Sequence, residues 1–101
     1  MNYKVSLLQD AYFEIKEIID WYNRAQRGLG KKFYESLKSK LKTISTNPFH
    51  FQLSFKESRS ASIDKFPYQI HFKVEELARV VIVFAVTHTS RKPRIWKEKG
   101  L

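Results

Sequence analysis

Residues 66–88, FPYQIHFKVEELARVVIVFAVTH, decide how the rest of the chain must fold. Tyr68, Ile70, Phe72 and Val74 alternate with Gln69, His71 and Lys73, the period of two that sends successive side chains to opposite faces of a strand. A turn at Glu75-Glu76-Leu77-Ala78 leads into Arg79–His88, whose positions from Val80 to Val86 are all apolar. A run without a polar face suits a central strand covered on both sides. Such a hairpin exposes apolar surface that another part of the chain must cover.

The first half supplies the cover. After a short strand at Tyr3–Leu7 the period changes, and Leu8, Ala11, Ile15, Ile18, Ile19 and Tyr22 recur at helical spacing while Asp10, Glu14, Glu17 and Asp20 face away. Ser6 with Gln9, or Asp10, is placed to cap this helix. Residues 23–30, NRAQRGLG, break the pattern with two glycines. Phe33, Leu37, Leu41 and Ile44 then define a second amphipathic helix, which Asn47-Pro48 ends because proline disfavours helical geometry in the residue before it. With a modest strand at 59–65, the expected fold is α+β in the order β-α-α-β-β-β: an N-terminal strand, then an antiparallel helical hairpin packed on a mostly antiparallel sheet.

At 101 residues the chain fits one domain spanning 1–101, and an apolar content of 43% is enough for one hydrophobic core. The absence of cysteine removes disulfides and thiolate chemistry, and no apolar run approaches the roughly 20 residues that cross a bilayer. A cytoplasmic location without membrane association is expected. The net charge of +9 favours a polyanion or an acidic protein as partner. Arg91, Lys92, Arg94, Lys97 and Lys99 concentrate that charge late in the chain, and Lys31, Lys32, Lys38, Lys40 and Lys42 form a second cluster.

Most enzymatic chemistries lack their residues. His50, His71 and His88 do not have ligand spacing, so neither a metal nor another cofactor is expected. GLGKK follows a helix instead of a strand and matches no phosphate-binding loop, and Ser90 has no flanking glycine to make a nucleophile elbow. Glu75 and Glu76 read as a solvated turn. What remains is HTSRKPRIW, residues 88–96, where His88, Arg91 and Arg94, with Lys65 at another strand end, can do acid-base or electrostatic work. The simpler reading has Thr87 and His88 finishing a buried strand, followed by a cationic binding edge anchored by Trp96.

The order of elements, GLGKKF opening the second helix, NPF after it, FPY at 66–68 and the ending H-x-x-R-x-P with a late aromatic resemble the RelE/ParE superfamily of type II toxin-antitoxin toxins. The resemblance spans nearly the whole chain. It implies a neutralising antitoxin bound as a hetero-oligomer, and one of two targets. RelE-like members cleave messenger RNA on the ribosome with lysines before the tyrosine hairpin, an arginine after that tyrosine, a basic residue after the last strand and often a terminal tyrosine. Here Ser60 and Ser62 stand at the lysine positions, Gln69 follows Tyr68, and Trp96 replaces the tyrosine; Arg91 or a neighbour alone survives. The chain is therefore more similar to the ParE branch, which inhibits DNA gyrase by binding. That branch implies target contacts at Arg91, Arg94, Trp96 and Lys97 and no catalytic set. A nuclease set of His88, Arg91 and Glu57, as in other superfamily members, is the alternative, with ribosome and messenger RNA as partners.

Overall fold

The computed structural model describes residues 2–90. Strand β1, Lys4–Leu7, leads into helix α1, Gln9–Ala25, and helix α2, Leu29–Thr46, follows across a tight turn. A 3-10 turn at Pro48–His50 then precedes β2, Leu53–Phe55, β3, Ser58–Ser62, β4, Tyr68–Glu75, and β5, Val80–His88. The sheet order is β1-β5-β4-β3-β2, with β1 parallel to β5 and every other pair antiparallel. The α+β reading holds, with one strand more than the sequence suggested. Leu53-Ser54-Phe55 escaped notice because this three-residue edge strand is mostly exposed and pairs through an irregular register. The expected strand at 59–65 ends earlier: at Ile63 the chain turns back, its N–H donating to the Tyr68 carbonyl, and Lys65 takes a left-handed φ of 71°.

Neither Ser6 nor Asp10 caps α1. Leu8 occupies the cap position without a side-chain hydrogen bond; its N–H instead donates to the Val83 carbonyl, so the β1–β5 ladder runs directly into the helix. Ala11, Ile15, Ile18 and Tyr22 of α1 and Phe33, Leu37 and Ile44 of α2 are buried over Ile70 and Phe72 of β4 and Val81, Val83 and Val86 of β5. The FPY stretch locks the hairpin to the sheet: Phe66 meets Tyr22 and Phe33 edge-on at 5.2 and 5.3 Å, and Tyr68 meets Phe33 at 5.7 Å. Such edge-to-face pairs each add about 0.5–1.5 kcal/mol beyond their burial.

The glycines of the α1–α2 connection serve packing. Gly28 takes a φ of 85°, and Gly30 lies where an added Cβ would stand 2.6 Å from the Ile19 carbonyl oxygen. Its N–H donates to the Asn23 side chain at 2.8 Å, which ties the start of α2 to α1. The glycines therefore make a close helix-helix crossing and no anion cradle.

Strand β5 is buried on both faces, as its apolar run implies. Its pairing with β4 shifts by one residue between His71↔Ala85 and Phe72↔Val83, leaving Phe84 as the extra residue of a bulge. The Phe84 ring lies 6.1 Å from His71, on the face away from the helices.

Candidate functional site

His88 ends β5 directly opposite Tyr68, their rings 5.3 Å apart edge to face. Its Nδ1 accepts the Ser90 N–H at 3.1 Å and lies 3.0 Å from the Ser90 hydroxyl. An accepting Nδ1 places the proton of the neutral ring on Nε2. The side chain is exposed, so the turn after β5 orients the imidazole without burying it.

Helix α1 builds the other wall of this end. Strand β1 stops at Leu7, opposite Val83, so the last part of β5 has no strand beside it there. The Glu14 carboxylate takes the place of a strand, accepting the Val86 N–H at 2.9 Å. Glu14, Glu17 and Trp21 thereby line a 220 Å³ cleft with Tyr68, Thr87 and His88. Ligand pockets for whole small molecules run to about 300–1,000 Å³, so this open cleft fits a partner's side chain better than a metabolite. Tyr22, behind it, is raised above the ordinary tyrosine range by burial and then by the neighbouring Tyr68, which keeps it a neutral packing group.

The face of the sheet away from the helices carries a run of small polar residues. Register places Ser60, His71 and Ala85 in one cross-strand row and Ser62, Gln69 and Thr87 in the next. His71 Nε2 and Thr87 Oγ1 are 2.9 Å apart in buried hydrogen-bond contact. Lys73, opposite Ile82, is the one Lys or Arg at far-face positions of β3, β4 and β5. Arg59 turns to the other face, where its guanidinium donates to the Phe51 carbonyl at 2.6 Å and lies over the Phe49 ring.

Glu57 is not brought to His88. It lines a separate cleft with Phe49, Leu53, Lys56, Arg59 and Val74. Val74 and Tyr68 are six residues apart on β4, which separates the two clefts by about 20 Å along the strand. Arg91, Arg94, Trp96 and Lys97 lie outside the described residues. Lys65 sits in the turn before β4, beside Lys32 and Phe66, away from the His88 cleft. Among the described residues no three His, Asp or Glu side chains converge to hold a metal ion, and no helix is long and apolar enough to cross a membrane. Sequence reasoning placed Glu14 and Glu17 on the solvent side of α1 and did not single out Trp21; their i, i+3, i+7 spacing along one flank of α1 was the available signal.

Residues 5–93 match the family described as the ParE toxin of the type II toxin-antitoxin system, parDE. The chain belongs to this ParE toxin family, within the RelE/ParE superfamily. Among solved structures, the chromosomal ParDE system of P. aeruginosa contains a chain with a TM-score of 0.75 at 12% identity, the match covering 85% of this chain and 95% of that one. A double mutant of the E. coli toxin RelE in the free state gives 0.71 at 19% identity, covering 97% and 94%. A chain of the intact E. coli RelBE toxin-antitoxin complex gives 0.66 at 22%, covering 88% and 99%. Comparison of the sequence with curated proteins returned no match.

Proposed function

We propose that this toxin acts in the cytoplasm by binding DNA gyrase, without cleaving a substrate, and that a cognate antitoxin holds it inactive. The observation that carries this reading is the composition of the far face: Ser60, Ser62, Gln69 and Thr87 are neutral, and His71 is buried among them. Cleaving a phosphodiester needs preorganised cations around the phosphate, and loss of even one charge-stabilising donor costs on the order of 100-fold or more. Among the described residues of β3, β4 and β5, Lys73 alone stands on this face, short of that set. The match to the ParE model points the same way.

Target contacts fall to Arg91, Arg94, Trp96 and Lys97, which follow the His88 end of β5 in sequence. An antitoxin partner is consistent with the relatives from the ParDE system and the RelBE complex. The net charge of +9 suits an acidic antitoxin segment that orders on docking.

The alternative, a RelE-like ribosome-dependent messenger RNA endonuclease, draws on one observation: His88 presents Nε2 at the open end of β5. Inducible expression separates the two. Altered plasmid supercoiling with intact transcripts supports the gyrase reading; ribosome-dependent cuts with unchanged supercoiling reject it. Loss of toxicity in Arg91→Ala with antitoxin binding retained places that arginine at the target surface, and full toxicity removes it.

A further inference from the structure

Phe84 and His71 stand on the face of the sheet away from the helices, yet they are 4% and 1% exposed, and Ala85 and Thr87 beside them are buried as well. A sheet face left to water keeps its side chains exposed, and an aromatic ring alone has about 150–250 Å² to hide. The described helices do not supply the cover, because α1 and α2 bury their apolar stripes on the opposite face. The loop rings turn to that opposite side too: Phe51 meets Phe72 at 6.0 Å, and Phe66 meets Tyr22 and Phe33. The burial is that of a single chain, so what covers the far face belongs to the same chain.

The chain leaves the sheet where such a cover has to start. The Thr89 N–H donates to the Pro67 carbonyl at 2.9 Å and the Ser90 N–H to His88 Nδ1, which fixes the exit from β5 beside Tyr68. Residues 91–101, RKPRIWKEKGL, follow. Phe84 lies six residues before Ser90, and Trp96 six residues after it. A segment that doubles back at an extended rise of about 3.3 Å per residue retraces the same ~20 Å and comes level with Phe84 at Trp96. The chemistry of the floor agrees with the length. It consists of the Phe84 and His71 rings, tilted by 33° at 6.1 Å, and the Ala85 methyl, with Ser60, Gln69 and Thr87 at its rim. None of these is a carboxylate that would draw an arginine or lysine, and an indole is the occupant such a floor suits.

We propose that residues 91–101 fold back over the far face as a strap, with Trp96 seated on Phe84 and His71. The seat is independent of which macromolecule the toxin inhibits. Taken with the target contacts proposed above, on which this clause rests, Trp96 is the anchor in the free toxin and meets the target only once the strap lifts.

The test uses the full 101-residue chain, whose two tryptophans are Trp21 and Trp96. In Trp21→Phe, which replaces an exposed ring, Trp96 alone emits. Its emission is expected to be shifted to the blue of the urea-unfolded chain, and its quenching by acrylamide to be several-fold weaker than that of Trp21 in the reciprocal Trp96→Phe. Adding Phe84→Ala should abolish that protection, whereas Leu53→Ala, at an exposed position on the edge strand, should leave it intact. Nuclear Overhauser contacts from the Trp96 indole to the Phe84 and His71 rings, read on the parent chain, decide the matter even if Phe84→Ala does not fold. Absence of those contacts overturns the inference, as does a Trp96 quenched as readily as Trp21. Protection lost in Glu17→Gln and kept in Phe84→Ala seats the segment in the α1 cleft and overturns it. Protection that disappears on dilution assigns the cover to a second copy of the chain and overturns it too. No target macromolecule enters these measurements, so failure of the gyrase reading leaves them unaffected.

Discussion

The two faces of the β3–β4–β5 sheet are made of different material, although the strands are the same. Toward the helices lie Ala61, Ile70, Phe72, Val81, Val83 and Val86, all buried and apolar. Away from them lie Ser60, Ser62, Gln69, His71, Lys73 and Thr87 together with Ile82, Phe84 and Ala85, a mixed set without a charge cluster among the described residues. One face has to bury enough surface to fold a small chain, and it leaves little room for variation. The other is not bound by that demand, and among the described residues of β3, β4 and β5 it carries Lys73 as its single cation. That contrast teaches that fold similarity to both ParE and RelE structures does not transfer the chemistry of either.

Substitutions can break this contrast or sharpen it. The largest effect is expected on the helix side: Phe72→Ala removes a fully buried ring and should cost about 3–5 kcal/mol by urea denaturation. A loss below 1 kcal/mol would mean that this face does not hold the fold. Next comes Gly30→Ala, where the new methyl meets a backbone carbonyl that has little room to retreat, so about 1–3 kcal/mol should be lost as a lower melting temperature.

On the far face, Thr87→Val deletes the hydroxyl in contact with His71 Nε2 and should cost about 1–2 kcal/mol while leaving the inhibited target unchanged. A shift from altered supercoiling to transcript cleavage, or the reverse, would contradict a structural role for this pair. Smallest is Asp64→Asn, which removes the exposed carboxylate from its pair with partly buried Lys40 and should change stability by less than about 1 kcal/mol.

Much of the helix-facing side was legible in the sequence because periodicity reports it. Tyr68, Ile70, Phe72 and Val74 alternate, Phe33, Leu37 and Ile44 recur by turns of helix, and both patterns exist because one face of each element is buried. Leu53–Phe55 left no such trace, being too short and too exposed to show a period. The N-terminal end of α1 misled for a related reason. Ser6 and Asp10 satisfy local capping rules, yet the sheet supplies the hydrogen bond through Val83, a partner far along the chain.

The candidate site was legible only where it coincides with the end of an element. His88 could be placed at the close of β5 because the apolar run stops there. Glu14 could not be paired with Val86, since the two are 72 residues apart and the contact depends on β1 stopping short beside β5. Glu57 shows the converse: residue type offered it as a partner for His88 in the alternative reading, whereas strand register sets the two at opposite ends of β4.

The claim that this toxin binds its target instead of cutting RNA is tested most directly with purified components. Relaxed plasmid, DNA gyrase and ATP are mixed with increasing amounts of the chain, and a translating extract is treated in parallel. The account predicts concentration-dependent loss of supercoiling with transcripts left whole. Undiminished supercoiling, accompanied by cuts in ribosome-bound messenger RNA, would contradict it.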